Sequence, residues 1–390
     1  MTIQENVALA PLTTLKVGGP ARYFVEARNE DDVRGAVRFA KTRGLPLFVL
    51  GGGSNLVIAD AGWPGVVLKV AIGGIASPKQ NATGNAVLFN VGAGVIWDDF
   101  VAFAVSQNCA GIECLSGIPG SVGGTPVQNV GAYGQEVAET IESVRALDVK
   151  PDIKPDIKPD IEEDRVVTLP KPACGFRYRS SIFNRAAGAE GGGERGRYII
   201  LQVNYRLKRG GAASVKYADL QKYFAGRRVD GVAGQTNAPS LSEVREAVRE
   251  IRRSKGMLIV PGDEDARSVG SFFKNPVLSE TQFRELAARA EARGLTIPSY
   301  PALEAQHKVS AAWLVEHSGF EKGFRLGRAA ISSKHALALI NPGKASGTAP
   351  GNAPGEARAA DIIELKDAIQ QGVESAWGIR LIPEPVLVGF

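Results

Sequence analysis

Apolar residues recur along the chain with two periods, one helical and one of strands. From Asn29 the apolar positions are Val33, Ala36, Val37 and Ala40, the i, i+3, i+4, i+7 spacing of one helix face. Acidic Glu30, Asp31 and Asp32 suit its start; Lys41, Arg43 and Gly44 suit its end. Residues 45–50 are a short, nearly all-apolar run that predicts a buried strand, and Gly51-Gly52-Gly53-Ser54 follows at once. Residues 66–70 predict another strand. Together these make an α/β unit with a glycine loop at a strand end, where α/β folds bind ligands.

Residues 87–91 predict a strand leading into Gly92-Ala93-Gly94. Trp97 stands where a dinucleotide fingerprint needs its third glycine, which argues against a Rossmann site here. Trp97, Phe100, Val101, Ala104 and Val105 instead form the face of a core helix. Strands are expected at 144–149, near Val166, and at 198–207, where apolar and polar residues alternate. Residues 241–253 predict an amphipathic helix with Leu241, Val244, Val248 and Ile251 on one side. Its basic end, with Arg252, Arg253 and Lys255, complements the helix dipole. Further helices at 282–293, 310–317 and 359–377, with strands at 336–340 and 380–387, predict a second α/β domain beginning between 210 and 256.

Three stretches break the pattern. Residues 151–162 read PDIKPDIKPDIE, and proline at every fourth position forbids a continuous helix. Residues 186–196 and 343–358 are rich in glycine and small residues. All three are read as solvated insertions. The stretch 117–134, GIPGSVGGTPVQNVGAYG, is different: Ile118, Val122, Val127, Val130 and Tyr133 stand between its glycines, so it is no linker. Such turns let a ligand approach the backbone and present anion-binding amides.

A chain of 390 residues predicts two or three domains, and 44% hydrophobic with 22% charged residues fits a soluble globular protein. No apolar run approaches the roughly 20 residues that span a bilayer. The N-terminal residues carry no secretory pattern, so a cytoplasmic protein without membrane insertion is expected. Cys109, Cys114 and Cys174 form neither a CxxC pair nor a zinc spacing, and the histidines (His307, His317, His335) form no H-E-x-x-H. Reduced thiols and no metal site are expected. A net charge of +5, without a basic stripe, points to small anionic ligands more than to nucleic acid.

Six motifs in order carry a resemblance: LTTLKVGGPARYF at 12–24, GGGSNLV at 51–57, the glycine-rich 117–134, CGFRYRSSIF at 174–183, GSFFKNP at 270–276 and IPEPV at 382–386. With them the chain resembles the UDP-N-acetylenolpyruvoylglucosamine reductases of peptidoglycan synthesis, of the type with a mobile tyrosine loop. The resemblance runs from about Leu12 to the C-terminus, apart from the insertions. It implies an α+β or α/β fold in two parts. One is a bipartite FAD-binding domain of the vanillyl-alcohol oxidase type over 12–209, with flexible insertions near 150–164 and 186–196. The other is a C-terminal α/β substrate-binding domain over 210–390, whose last strand near 380–388 returns to the active site.

The resemblance further implies an FAD-dependent UDP-N-acetylmuramate dehydrogenase with NADPH as co-substrate. FAD would lie against Gly51, Gly52, Gly53, Ser54, Asn55 and Leu56, and against Gly117, Pro119, Gly120, Gly123, Gly124, Gln128, Asn129, Gly131, Ala132 and Tyr133. With no histidine before His307, a histidyl link in the N-terminal domain is excluded and non-covalent FAD is expected. Hydride would pass from flavin N5 to C3 of the enolpyruvyl group, and a proton would reach C2. Arg179 would stabilise the developing enolate, Glu384 would act as an acid at the same carboxylate, and Ser271 would give the proton. Tyr178, Tyr217, Lys255, Asn275, Tyr300, Lys308, Lys322 and His335 would bind the substrate. A monomer is expected. Two rivals remain: an oxidase of the same fold, which leaves the GSFFKNP serine unexplained, and a silent nucleotide-sugar-binding protein, which would lack one of Arg179, Ser271 and Glu384.

Overall fold

The computed structural model describes residues 1–390 except 77–78, 81–83, 150–164, 187–192, 227–237, 302–305 and 344–355. The PDIK repeat and most of the other two insertions lie outside the described residues. The chain divides into two compact units: residues 1–7, 22–52 and 64–252 form the first, and 8–21, 53–63 and 253–390 the second.

The first unit has two large sheets around one core, besides a short ladder of Gly131–Ala132 with Gln135–Glu136. In the smaller, the strands run in the order Ile3–Ala8, Pro20–Ala27, Trp63–Val70, Leu47–Leu50, and the last two are parallel. The crossover before Leu47–Leu50 is the expected helix, Glu30–Thr42, which buries Val33, Ala36, Val37 and Ala40. Asn29 caps it, accepting from the Asp32 amide at 2.9 Å. The strand begins at Leu47, two residues later than its apolar run, and Pro46 before it has no amide to pair.

The larger sheet is antiparallel, in the order Arg165–Pro170, Ile141–Asp148, Tyr198–Arg209, Ala86–Gly92, Lys79–Gln80, with Cys109–Ala110 also on Tyr198–Arg209. The helix Trp97–Ser106 packs its aromatic face there. Phe100 lies 5.0 Å from Tyr205 and 5.8 Å from Phe89, ring centre to ring centre. Burying each such side chain stabilises by about 1.5–3 kcal/mol. The indole of Trp97 donates to Leu115 O at 2.9 Å and ties the helix to the start of the glycine-rich stretch. Against that stretch sits a smaller apolar cluster, in which Val244, Ala247 and Val248 of the helix Leu241–Ser254 meet Leu220, Cys114 and Tyr133.

In the second unit the two larger sheets are antiparallel: Ser268–Ser271, Ala338–Ile340, Ala329–Ile331, Arg325–Leu326 in one, and Val277–Leu278, His307–Val309, Ser299–Pro301 in the other. The unit is therefore the α+β form of the two expected. Its core is built on the helix Ala359–Trp377, which buries Ile362, Leu365, Ile369, Val373 and Trp377. Asp60 accepts from the first two amides of that helix at 2.9 and 3.0 Å. The helix Glu280–Glu291 starts earlier than its apolar pattern suggests, because Ser279 and Gln282 form a reciprocal cap.

The strand expected over 380–387 is shorter. Only Val386–Val388 pairs, in parallel with Leu56–Ile58. Pro383 and Pro385 offer no amide, so the ladder cannot start before them. Among the described residues no helix is long and apolar enough to cross a membrane.

Candidate active site

In the first unit the two glycine clusters meet. A Cβ on Gly52 would fall 2.5 Å from Gly120 Cα, so the two backbones can approach this closely only because Gly52 has no side chain. A Cβ on Gly51 would fall 2.9 Å from Ser121 Oγ. That hydroxyl is buried and has no hydrogen-bond partner among the described residues. An orphaned donor is costly, so a group that accepts from it belongs beside it. Gly117 and Gly120 have φ of 70° and 130°, turns that expose successive amides. A flavin nucleotide fits this cradle: Ser121 and the amides suit its phosphates, and the glycines leave room for its rings.

The rest of the stretch is held from behind. Asp98 accepts from the Gly117 amide at 2.6 Å and from Arg245 at 2.6 and 3.0 Å, and it also pairs with Arg249. Arg252, 6% exposed, donates to Gly117 O at 3.1 Å. Burial works against Asp98's charge, but Arg245, the Gly117 amide and Arg249 hold its carboxyl below the usual carboxylate range. Reading Arg252 as a dipole partner is thus corrected: its guanidinium is buried and braces the loop. The available signal was a stripe, since Arg245, Arg249 and Arg252 stand at i, i+4, i+7 on one helix. Asp98→Ala should cost about 1–3 kcal/mol of stability by stranding these partners. Flavin should be retained roughly tenfold less well, about 1.4 kcal/mol, measured by urea unfolding and by flavin titration. Because its carboxyl is held low, Asp98's contribution is complete above about pH 4 and is lost on acidification through the folded-state value.

Asn129, Tyr133 and Arg179 have φ of 45°, 48° and 51°. Asn tolerates this region; Tyr and Arg do not, and such strain gathers at functional sites. The side chain of Asn129 is engaged by the protein itself, donating to Glu136 at 2.8 Å and Arg177 O at 3.1 Å and accepting from Ala138 N at 3.1 Å. Arg179 donates to Gly131 O at 2.6 Å and lies 5.4 Å over the ring of Tyr178. Tyr217 meets Tyr133 edge-on at 5.5 Å and is 44% exposed. Pro119, Gly123, Gly124, Gln128 and Ala132 belong to this unit as well.

Ser271 and Glu384 are in the second unit. The Glu384 amide donates to Phe272 O at 2.8 Å, which sets IPEPV beside GSFFKNP. Asn55 reaches the same segment, its Nδ2 donating to Glu384 O at 3.3 Å and its carbonyl accepting from Val386 N at 3.0 Å. Gly53, at φ 66°, packs against Leu12 O, and Leu56 pairs with Val386. Ser271 Oγ is 3.1 Å from His335 Nε2. Burial first, then the charges of Lys255 and Lys322, push that imidazole down to about 4. Asn275 accepts from the Ala311 amide at 2.9 Å, a structural bond at the start of Ala311–Glu316. Tyr300 and Lys308 are partners across two strands, and Tyr300 is 59% exposed. Lys322 is 3.8 Å from Glu316.

Burial pushes the Cys114 and Cys174 thiols up to about 12, which leaves no thiolate at neutral pH. Among the described residues no cluster of His, Cys, Asp or Glu could hold a metal ion. Sequence reasoning named Arg179, Ser271 and Glu384 but missed Ser121, Asp98, Arg245 and Arg249.

Comparison with known proteins gives two family matches. A family model described as "FAD binding domain" matches residues 21–152, and one described as "UDP-N-acetylenolpyruvoylglucosamine reductase, C-terminal domain" matches residues 262–349. The chain is 40% identical over 389 residues to a UDP-N-acetylenolpyruvoylglucosamine reductase of Thermobifida fusca, covering 99% of this chain and 98% of the relative. It is 42% identical over 394 residues to the reductase of the same name from Streptomyces avermitilis, covering 99% and 96%. Among solved structures, the UDP-N-acetylenolpyruvylglucosamine reductase of Thermus caldophilus superposes with a TM-score of 0.60 at 23% identity, covering 99% of this chain and 100% of that one. That likeness shows a shared fold.

Proposed function

The chain belongs to the UDP-N-acetylenolpyruvoylglucosamine reductase family, and from that membership we propose that it reduces UDP-N-acetylglucosamine enolpyruvate to UDP-N-acetylmuramate. The family's members are FAD-dependent dehydrogenases of peptidoglycan precursor synthesis that use NADPH. When bound in the cradle of Gly52, Gly120 and Ser121, FAD would supply the hydride chemistry that links NADPH to C3 of the enolpyruvyl group.

The chain's own residues have the remaining work. Arg179 offers a planar fork to the substrate carboxylate, where charge builds up. Glu384 acts as an acid at the same carboxylate. Ser271 gives a proton to C2, which completes the lactyl ether. Lys255, Lys308 and Lys322 supply positive charge for the phosphates and the carboxylate, while Asn275, Tyr300 and Tyr178 line the sugar nucleotide. Tyr217, resting on Tyr133, acts as the lid tyrosine of the mobile-loop type. In this reading residues 12–209 hold the flavin and 210–390 the sugar nucleotide, and the enzyme works as a cytoplasmic monomer. Sedimentation equilibrium at twice the monomer mass would remove the last point.

One observation supports the reading most. The Glu384 amide is bonded to the carbonyl of Phe272, the residue next to Ser271, so the segments carrying proton donor and acid are hydrogen-bonded side by side. The purified protein should be yellow, and acid precipitation should leave its flavin in the supernatant. NADPH should bleach that flavin without oxygen, and the enolpyruvyl sugar nucleotide should restore the colour. Recovery with oxygen but not with the sugar nucleotide would make the protein an oxidase instead.

A further inference from the structure

We propose that His335 is a positioning residue for the proton donor: its uncharged imidazole donates Nε2–H to Ser271 Oγ and leaves the serine's own O–H directed at the substrate. The proposal rests on the reading of Ser271 as that donor. Ser271 Oγ and His335 Nε2 are 3.1 Å apart, and among the described residues the ring has no other hydrogen-bond partner.

The imidazole is held with unusual care. Ser332 Oγ accepts from the backbone amides of Lys334 at 3.0 Å and His335 at 3.2 Å. Buried Asp265 accepts from the Ser333 amide at 2.9 Å and the Ser333 hydroxyl at 2.8 Å. Lys334 in turn reaches Asp263 at 2.7 Å and Asp265 at 3.5 Å. Gly256, next to Lys255, packs so closely that a Cβ there would lie 2.9 Å from Asp265 Cβ. The turn bearing Lys255 and the turn bearing His335 are thus fixed to each other. Freezing these side chains costs entropy, which an ordinary surface histidine would not require.

The direction of the hydrogen bond follows from chemistry. Burial and the two lysines keep the ring uncharged at neutral pH, so Nε2 either accepts or donates. If it accepted, it would hold the only proton Ser271 has to give. If it donates, that proton stays available, and the negative charge developing on Oγ gains a donor. When the Oγ–H bond breaks, the proton goes to C2 and the electron pair stays on oxygen. Oγ then recovers a proton from water, and the imidazole keeps its own. Lys255 and Lys322, the charged groups that act on the ring, further stabilise the oxyanion.

The test uses the FAD-loaded enzyme and stopped-flow of each half-reaction. In His335→Ala, reoxidation of the flavin by the enolpyruvyl sugar nucleotide should slow roughly ten- to a hundredfold, as for loss of one oxyanion donor, while reduction by NADPH stays near its normal rate. His335→Gln, whose amide N–H can take the same place, should recover most of the loss. The double variant with Ser271→Ala should be no slower than Ser271→Ala alone, since one group acts through the other. Long-range ¹H–¹⁵N spectra, simplified by there being only three histidines, should show His335 as the Nε2–H tautomer, with a shift in Ser271→Ala. An Nδ1–H tautomer overturns the proposal. So does normal reoxidation in His335→Ala when Ser271→Ala is slow, and so does equal slowing of both half-reactions in both His335 variants. Normal reoxidation in Ser271→Ala itself would instead remove the reading beneath it.

Discussion

Ser271→Ala is expected to reduce its flavin with NADPH at close to the normal rate and to lose at least about a hundredfold in reoxidation by the enolpyruvyl substrate. Flavin reduction requires no proton from this serine, whereas the second half-reaction ends with one arriving at C2. A serine hydroxyl is a very weak acid, which is the strongest objection. The answer lies in what surrounds it. In the proposed reaction the group to be protonated is an enolate dianion, a strong base, and the oxygen left behind would face the imidazole of His335, 3.1 Å from Ser271 Oγ. Lys255 and Lys322 act on the same place, as their effect on that imidazole shows. A purely architectural serine is the alternative, since Ser271 follows Gly270, whose φ is 75°. In that case both half-reactions would slow equally, and stopped-flow traces of each would show it.

The amphipathic helices were the most legible part of the sequence. Val33, Ala36, Val37 and Ala40 are buried as their spacing requires, and residues 359–377 form one helix to the residue. Periodicity reports which face a helix buries, so it reads well wherever one face meets the core. Pairing is a different matter. The alternation of helices and strands after residue 256 suggested an α/β domain, yet its two larger sheets are antiparallel, because strand direction depends on connections that local pattern does not record. The segment 380–387 was apolar enough for a strand, but Pro383 and Pro385 limit the ladder to Val386–Val388.

At the candidate site, the residues visible in sequence were those inside short motifs: Arg179 in CGFRYRSSIF, Ser271 in GSFFKNP and Glu384 in IPEPV. The supports were not, because they come from distant positions. Asp98 is 147 residues from Arg245, and only the fold makes them partners. Ser121 sits inside the glycine-rich stretch, but its importance is a matter of burial without a partner, which no sequence pattern expresses. His335 was read as a substrate-binding residue and not as a partner of Ser271, since its charge state depends on its burial and on the lysines around it.

Gly52→Ala should yield a folded protein that is largely colourless. The added methyl would sit 2.5 Å from Gly120 Cα, 2.6 Å from its carbonyl carbon and 2.7 Å from the Ser121 amide nitrogen. All three are backbone atoms, so no flexible side chain can swing aside. Restoring ordinary contact requires the two glycine clusters to separate by about 1 Å. The turn at Gly120, with φ 130°, cannot easily give way, because Gly117, three residues before it, is clamped by Asp98 at its amide and by Arg252 at its carbonyl. The strain would therefore fall on the proposed flavin cradle, whose amides would have to reach fixed phosphate oxygens. A misplacement of this size disrupts several charge-assisted hydrogen bonds together, each worth about 1.5–3 kcal/mol. Losing two of them weakens flavin binding by at least about a hundredfold. The control is Gly73→Ala, in the same unit, where a Cβ meets nothing within 4 Å. That variant should bind FAD as the parent does. Titrating FAD into both apoproteins by fluorescence quenching, with circular dichroism to verify folding, decides the matter. If Gly52→Ala binds FAD within about threefold of the parent, a loss well under 1 kcal/mol, the two clusters do not form the flavin cradle.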